Sequence, residues 1–561
     1  MEEHSHNRGI RRQAMVVALS SLLAVSGHAF KFDGKLDGPL RTAVQNIDQK
    51  GKSDVIFKTD GPLTKAQKTE LAALGVKLKR EFKVISSYSA TLPKRNLDEF
   101  AALSFVKHVS LDGVVKKSDA FTINSSLAID AWGNNGGKSG SGVTIAIVDS
   151  GIQPHVDMDK GKIKANVNFS SGMSVKLDDC GHGTHVAGIA AGTGKAGRDD
   201  GRYTNMYGIA RGADLVGVRV LDGRGSGTVS DVLAGIQWVI QNRQKYNIKV
   251  MNLSLGHPVG ESYVDDPLCQ AVKEAWGSGI VVVCAAGNAG RMFPVQAHGQ
   301  SNEGWGTNYG SINSPGNSPY VITVGATKSM DTMTRDDDRI ATYSSRGPSR
   351  LDFVMKPDIV TGGNKVWSTM YNTSFLFLTY FLNTISTTGM PLNMLGKDYF
   401  VLSGTSMAAP VVSGAAAMLI QNNPDISPDT VKMRLMLTAD KWAAPDGTPN
   451  VLTYGAGCLN IPAALNSNVV ATQPAMSPTL VFDENGFIGL NGEWLGANRA
   501  IWGSNVNDLR AIWGSGFNPD GFTLLDANRA MWGSSVWADR AMWGSSTGAV
   551  DLSSVAITGE Q

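Results

Sequence analysis

The sequence predicts an α/β protein with a mostly parallel central sheet. Short apolar runs, of the kind that is buried on both faces, recur between residues 143 and 324, and helical patterns separate them. A smaller region of mixed helix and strand precedes this part, and a tail rich in tryptophan follows it. The 561 residues exceed what one hydrophobic core usually organises, so two or three domains are expected.

The composition is that of a globular protein, with 42% hydrophobic and 18% charged residues. The formal net charge of +2 gives no reason to expect nucleic-acid binding, which normally needs a concentrated basic face. The charge is unevenly distributed, because residues 31–119 hold 17 basic and 11 acidic side chains, and the residues after 119 hold 31 basic and 36 acidic ones. Opposite net charge favours docking of the first part on the second.

Residues 1–29 are typical of a secretory signal peptide, which predicts a secreted protein, extracellular or at the cell surface. Three arginines, at positions 8, 11 and 12, precede an apolar run at residues 14–25, and small residues follow at 27–29. A buried helix or a membrane anchor is the alternative, but the run is short for a span of about 20 residues. The Arg11-Arg12 pair also leaves twin-arginine export open.

Residues 30–119 alternate in the order strand, helix, strand, strand, helix, strand. The strands are expected at 54–58, 76–84, 88–92 and 106–115, and the helices at 64–74 and 94–103. This is the order of a small ferredoxin-like α+β domain.

The strands expected for the central sheet lie within residues 120–470, at 143–148, 215–220, 250–255, 280–285 and 321–324. Helices are expected between them, at 229–244 and 269–277. Ligands of parallel sheets bind outside the carboxyl ends of the strands, and Asp149 and Asn288 fall at two such ends.

Four glycine-rich motifs follow one another through this part. They are Asp149-Ser150-Gly151-Ile152, Gly181-His182-Gly183-Thr184-His185-Val186-Ala187-Gly188, Ala285-Ala286-Gly287-Asn288 and Gly404-Thr405-Ser406-Met407-Ala408-Ala409-Pro410. Together they offer an acid, an imidazole, an amide donor and a hydroxyl, which are the groups that acyl transfer requires. Singly, each has an ordinary explanation as a turn or a helix cap, but all four in this order favour catalysis.

The roles predicted for these residues follow from their chemistry. Ser406 is the expected nucleophile at the positive end of a helix, with Pro410 in the first turn of that helix, where amides lack partners. His182 is expected to take the serine proton, and Asp149 to orient the imidazole. Asn288 is expected to hold the oxyanion together with the backbone amide of the nucleophile.

Two alternatives concern the residues around this histidine. His185 is the competing base, and Cys180, His182 and His185 together are a possible metal site, although a structural site usually needs a second spaced pair of ligands. Four cysteines, at positions 180, 269, 284 and 458, permit two disulfides in an oxidising compartment. Otherwise Cys284 is expected to be a buried strand residue and Cys180 a free thiol.

The four motifs resemble those of the subtilisin-like serine peptidases, across roughly residues 120–470. The resemblance implies a subtilisin-like three-layer fold and a secreted serine endopeptidase that hydrolyses polypeptides through an acyl-enzyme. It implies that residues 30–119 are a propeptide, a folding chaperone and intramolecular inhibitor of an autoprocessed zymogen, cleaved near residues 117–121. The chemistry requires no cofactor. Calcium commonly stabilises the family, but its ligands cannot be assigned here.

The resemblance also carries over the substrate-binding residues. Gly225-Ser226-Gly227 and Ser254-Leu255-Gly256 are the expected edge segments that pair with the substrate backbone, and Gly256 and Ala285-Ala286-Gly287 are expected to line the first specificity pocket. Such pairing recognises the main chain, which fits a broad endopeptidase. The remaining alternatives are a non-catalytic adhesion protein on this scaffold, and an esterase or peptide ligase with the same triad.

Two regions depart from the family. An insert of more than 30 residues separates Trp367-Ser368-Thr369 from Val401-Leu402-Ser403, where the family has a much shorter connection, so the insert is a lid, a partner surface or a packed hairpin. In the tail, residues 471–561, Arg-Ala-(Ile/Met)-Trp-Gly-Ser begins at positions 499, 510, 529 and 540. The repeats favour a structural or export role over carbohydrate or cell-surface contact, since buried aromatics are commoner than binding platforms.

Overall fold

The structure is a computed structural model that describes residues 35–36, 51–112, 114–117, 132, 137–158, 161–170, 177–200, 206–292, 306–330, 335, 337–385, 399–441, 451–482 and 488–490. The expected signal peptide, the four tail repeats and residues 118–121 of the expected processing region lie outside the described residues. Within the described part of the chain, no helix has the length and apolar character needed to span a bilayer.

The amino-terminal region forms a sheet of its own. Strands β1 (Lys52–Lys58), β2 (Lys77–Phe82), β3 (Ser87–Pro93) and β4 (His108–Leu111) pair antiparallel in the order β2-β3-β1-β4. Helix α1 (Lys65–Ala73) connects β1 to β2, and a 3-10 turn and helix α2 (Leu97–Ala102) connect β3 to β4. Helix α1 begins where it does because Thr64 and Gln67 form a capping box.

Most of the remaining elements build a larger domain. The strands are β5 (Val114–Lys117), β6 (Thr144–Asp149), β7 (Ile163–Asn168), β8 (Asp214–Arg219), β9 (Ser226–Thr228), β10 (Ile248–Leu253), β11 (Leu255–Gly256), β12 (Val281–Ala285), β13 (Ile322–Lys328), β14 (Arg339–Ile340), β15 (Ile359–Gly362), β16 (Val366–Thr369), β17 (Thr384–Ile385), β18 (Tyr399–Leu402), β19 (Leu480–Phe482) and β20 (Ile488–Leu490). The helices are α3 (His182–Ala191), α4 (Lys195–Asp200), α5 (Val229–Asn242), α6 (Pro267–Gly277), α7 (Phe375–Thr379), α8 (Thr405–Asn422), α9 (Pro428–Leu437), α10 (Val451–Tyr454) and α11 (Ile461–Asn466).

The central sheet has eight strands in the order β14-β13-β12-β10-β6-β8-β7, with β15 paired to β13. Every pairing is parallel except that of β13 with β14. All residues of β6 and β12 are buried, as expected of continuous apolar strands covered on both faces. Helices α3 and α8 pack together, and so do α5 and α6, and both pairs contact the sheet. The predicted α/β class with a mostly parallel sheet is confirmed.

Strand β5 joins the amino-terminal region to the larger domain. It lies between β9 and β11 and pairs antiparallel with both, with Val115 opposite Gly227 and Lys117 opposite Leu255. The two parts also share an apolar core, because Ile56 and Phe82 of the amino-terminal sheet, and Ile85 in the turn after β2, are buried in the main hydrophobic cluster of the larger domain. The two parts of the chain therefore share backbone pairing and buried apolar surface.

The chain after α11 packs back onto the larger domain. Ser477 is fully buried and donates a hydrogen bond to Asp358, and the amide of Met355 donates to the carbonyl of Pro478 at 2.8 Å. Lys356 and Lys432 flank the same buried carboxylate at 2.7 and 3.4 Å. Residues up to 480 thus contact this domain, while the domain boundary predicted at residue 470 stays a prediction.

Candidate active site

Asp149 and His182 form a buried hydrogen-bonded pair at the carboxyl end of the central sheet. Asp149 is the last residue of β6, and His182 is the first residue of α3. Oδ1 of Asp149 accepts from Nδ1 of His182 at 2.7 Å and from the amide of Ser150 at 2.7 Å. Neither side chain is exposed. The imidazole is therefore held by its Nδ1 side, so a proton exchange with a reacting group would use Nε2.

A close backbone approach brings these two elements together. Gly183 follows the histidine, and a Cβ atom at that position would lie 2.2 Å from the carbonyl oxygen of Gly151. Only glycine fits such a contact without movement of the backbone. The glycine after the histidine is thus explained by the packing of α3 against the turn after Asp149.

Asp178 holds the turn that carries the histidine. Its Oδ1 accepts from the amides of Cys180 and Gly181 at 3.1 and 2.7 Å, and its Oδ2 accepts from the amide and hydroxyl of Thr184 at 2.8 and 2.7 Å. The carboxylate therefore satisfies donors at the amino end of α3, where a negative charge is favourable. Burial raises the pKa of Asp178, and hydrogen bonds from these groups and from Ser150 oppose that rise.

Ser406 lies in the first turn of α8 and is fully buried. Its hydroxyl donates to the carbonyl of Ser254 at 3.0 Å, and the hydroxyl of Ser254 donates to the carbonyl of Ser406 at 2.7 Å. Asn252 supports this exchange, because its Nδ2 donates to the Ser254 hydroxyl at 2.8 Å. The serine is therefore fixed to the segment between β10 and β11, beside one of the expected substrate edges.

The expectation that Pro410 lies in the first turn of this helix is wrong. The helix begins at Thr405, so Pro410 is an interior residue. A proline there cannot donate the amide hydrogen that would bond to the carbonyl of Ser406 four residues earlier. The hydroxyl of Ser254 supplies that hydrogen bond instead, so the helix keeps the proline without an unsatisfied buried carbonyl.

Asn288 is tied to the start of the same helix by Thr405. Its Oδ1 accepts from the amide and the hydroxyl of Thr405 at 3.0 and 3.1 Å, and the Thr405 hydroxyl accepts from the amide of Gly287 at 3.0 Å. With Oδ1 used as an acceptor, the donors of this side chain are the Nδ2 hydrogens. Thr405 is the residue before Ser406, so it fixes the side chain of Asn288 next to that serine.

His185 occupies a different environment from His182. It is fully buried, and its Nε2 donates to the carbonyl of Phe400 at 2.9 Å. Burial lowers the pKa of His185 to about 3, so the ring is neutral at ordinary pH. Its ring nitrogen is engaged with β18 and not with Asp149, which favours a packing role over that of the competing base.

The residues expected to bind substrate lie on both sides of β5. Ser226 and Gly227 belong to β9, preceded by Gly225, and Leu255 and Gly256 form β11, preceded by Ser254. Ala285 ends β12, and the amide of Ala286 donates to Val324 in the core at 3.0 Å. The residues of β9 and β11 thus form the two edges between which β5 lies. Ala285, Ala286 and Gly287 lie at and just after the end of β12.

All four cysteines are buried, and none of them forms a disulfide. Burial raises the pKa of Cys269, and it raises the pKa of Cys284 to about 12 and that of Cys458 to about 11. Within the described residues, no group of three or more histidine, cysteine, aspartate or glutamate side chains is placed to hold a metal ion. Calcium binding stays an expectation from the family resemblance.

Sequence reasoning missed Asp178, Thr405 and the hydroxyl of Ser254 as supports of the site. An acidic residue shortly before a helix start is a signal for the first of these. The contacts of Ser254 span 152 positions in the chain and those of Thr405 span 117, so no local pattern reveals them.

Comparison with known proteins agrees with this geometry. Residues 140–457 match the model of the subtilase family. Serine protease AprX of Bacillus subtilis (strain 168) is 35% identical over 439 residues, which cover 77% of this chain and 89% of the relative. Subtilisin DY of Bacillus licheniformis is 35% identical over 329 residues, which cover 58% of this chain and 92% of that relative. Subtilisin E of Bacillus subtilis (strain 168) is 30% identical over 411 residues, covering 72% and 88%.

Proposed function

The chain belongs to the subtilase family and is a serine-type endopeptidase, and we propose that it hydrolyses polypeptides through an acyl-enzyme on Ser406, with His182 and Asp149 completing the triad. The observation that carries this assignment is the 2.7 Å hydrogen bond between the buried Asp149 and His182. The helix that begins with His182 packs against the helix that carries Ser406. Polypeptides are the substrates, as the family membership indicates.

The proposed reaction uses only side chains and amides of this site. Nε2 of His182 removes the proton of the Ser406 hydroxyl, and the oxygen attacks the scissile carbonyl carbon. Nδ2 of Asn288 and the amide of Ser406 donate to the oxyanion. The imidazolium, stabilised by Asp149, then gives its proton to the leaving amine, and water activated by the same histidine hydrolyses the ester.

We further propose that residues 30–119 are a propeptide that blocks the site of an autoprocessed zymogen. The support is the position of β5, which fills the gap between β9 and β11 as a substrate strand does in β-augmentation. Side chains reinforce the docking: Arg80 lies 3.2 Å from Asp231, and Asp112 accepts from the amide of Ser230 at 2.9 Å. The signal peptide in residues 1–29 places the enzyme outside the cell.

The test compares the purified wild-type chain with Ser406→Ala and with Ser467→Ala, a control outside the site. We expect the wild type and the control to have a new amino terminus after residue 117 and to hydrolyse casein. Ser406→Ala should retain residues 30–119 and have no activity, with unchanged circular dichroism. Processing and casein hydrolysis by Ser406→Ala at the wild-type rate would refute the assignment of Ser406.

A further inference from the structure

The insert between β16 and β18 is partly packed and partly exposed. Its helix α7 begins after Ser374, whose hydroxyl accepts from the amide of Phe377 at 3.4 Å. Leu376 and Phe377 are buried in the main hydrophobic core, so the inner face of α7 is fixed. The described part of the insert is therefore anchored to the domain through its inner face.

Three apolar side chains on the outer side of this insert face solvent. Leu378, Phe381 and Leu382 are 66%, 60% and 85% exposed, and we call them the apolar rim. A single exposed apolar residue needs no explanation, but three within five positions on an anchored segment form a patch of the kind that binds ligands.

The residues on either side of the rim are bonded to the segments that precede His182 and Ser406. Before the rim, the amides of Phe375 and Leu376 donate to the carbonyls of Asp179 and Cys180 at 2.8 and 3.0 Å, just before His182. After the rim, Nδ2 of Asn383 donates to the carbonyl of Val401 at 3.2 Å, and β17 pairs with β18. Strand β18 ends four residues before Ser406. The segment that carries the rim is thus bonded to the chain just before His182 and to the strand that leads to Ser406.

We propose that the apolar rim is a subsite that binds apolar side chains of a polypeptide substrate on the leaving-group side of the scissile bond. This inference rests on the proposed endopeptidase function. The acyl side is taken by β9 and β11, because β5 lies between them and its carboxyl end reaches Leu255, next to Ser254 and Ser406. A substrate chain that continues beyond Ser406 leaves those two edges and meets the other segments of the cleft, to which the rim is attached.

The experiment uses the matured enzyme and two quenched fluorescent peptides with identical acyl sides. One peptide has leucine at the second and third positions after the scissile bond, and the other has serine there. A peptide anilide with the same acyl side reports cleavage without leaving-group residues. The enzyme variants are the triple Leu378→Ser/Phe381→Ser/Leu382→Ser and the control Val470→Ser, which changes another side chain that is 62% exposed.

We expect the wild type and the control to cleave the leucine peptide with a kcat/KM about tenfold above that of the serine peptide, since apolar contacts discriminate by about 10- to 200-fold. The triple variant should lose this preference and keep wild-type activity on the anilide. If it does not fold, Leu382→Ser alone should lower the preference by about threefold, because a single exposed contact is removed.

An unchanged preference in a folded triple variant would overturn the proposal, as would an equal loss of activity on the anilide. If the triple variant loses the preference for the leucine peptide and also changes its oligomeric mass, the rim is a contact between copies of the chain. That result would overturn the proposal too. Failure of the proposed function is a separate result, in which neither peptide nor the anilide is cleaved by the wild type.

Discussion

At the residue scale, the carboxylate of Asp178 is a buried group that shapes the site and takes no part in the proposed chemistry. It accepts four hydrogen bonds, from Cys180, Gly181 and Thr184, at the start of the helix that carries His182. Removal of this carboxylate leaves those buried donors without an acceptor. Each such donor costs about 1–3 kcal/mol.

We therefore expect Asp178→Ala to lower the free energy of unfolding by about 3 kcal/mol or more, and to lower kcat/KM on casein about 100-fold because His182 is misplaced. Asp178→Asn keeps one acceptor oxygen and should lie between the alanine variant and the wild type. Urea unfolding and steady-state kinetics measure the two effects. Wild-type kinetics in Asp178→Ala would show that the turn is held without this carboxylate.

The shifted pKa of His185 makes the free energy of unfolding depend on pH. Its pKa is about 6.5 in the unfolded chain and about 3 in the fold, because burial opposes the charged ring. Between these values the unfolded chain binds more protons, so stability is lost as the pH falls from about 6.5 towards about 3. At pH 4 the loss from this one residue is on the order of 3 kcal/mol.

The measurement is urea unfolding at pH 7 and pH 4 in a Ser406→Ala background, which prevents self-digestion. His185→Gln can still donate to the carbonyl of Phe400 but does not titrate, so its stability should fall less between the two pH values. An identical fall with and without this substitution would assign the acid sensitivity to other groups.

At the element scale, Arg80 supplies the polar contacts of strand β2 with the larger domain, beside the buried side chain of Phe82. The guanidinium of Arg80 lies 3.2 Å from Asp231 and donates to the carbonyls of Ser230 and Phe169 at 3.3 and 3.1 Å. Breaking a hydrogen-bonded charge pair at an interface costs about 2–5 kcal/mol.

Arg80→Glu should therefore weaken inhibition of the matured enzyme by a separately made segment 31–117. We expect the inhibition constant to rise at least about 30-fold, which corresponds to about 2 kcal/mol. Lys77→Glu, an exposed change of the same charge on the same strand, is the matched control and should have little effect. If the Arg80→Glu segment inhibits as strongly as the Lys77→Glu segment and the unchanged one, the arginine contacts do not hold the two parts together.

At the scale of the whole molecule, much of the order of strands and helices could be predicted from the sequence, because short continuous apolar runs and helical patterns are local signals. The positions of Asp149 and Asn288 at strand ends followed from that order. The element bounds differ by a few residues, as at β10, expected at 250–255 and observed at Ile248–Leu253. Strands β7, β14 and β15 of the central sheet were not predicted.

The supports of the site could not be predicted in the same way. The exchange of hydrogen bonds between Ser254 and Ser406, which compensates for the amide hydrogen that Pro410 lacks, joins residues 152 positions apart. The attachment of α7 to the segment before His182 likewise depends on how the insert packs, since the amide of Phe375 donates to the carbonyl of Asp179, almost 200 residues earlier. Such contacts arise only when the whole domain has folded.

The central claim, that Ser406 is the nucleophile, is tested most directly by a fluorophosphonate probe with mass spectrometry of the labelled peptide. After removal of residues 30–119, the wild type should carry one adduct, located on Ser406. Both variants are first freed of residues 30–119 by limited digestion with an immobilised protease, since neither is expected to process itself. Ser406→Ala should then carry no adduct, and His182→Ala should react at least about 100-fold more slowly because the base is missing. An adduct on another residue, or none on the folded wild type, would contradict the account.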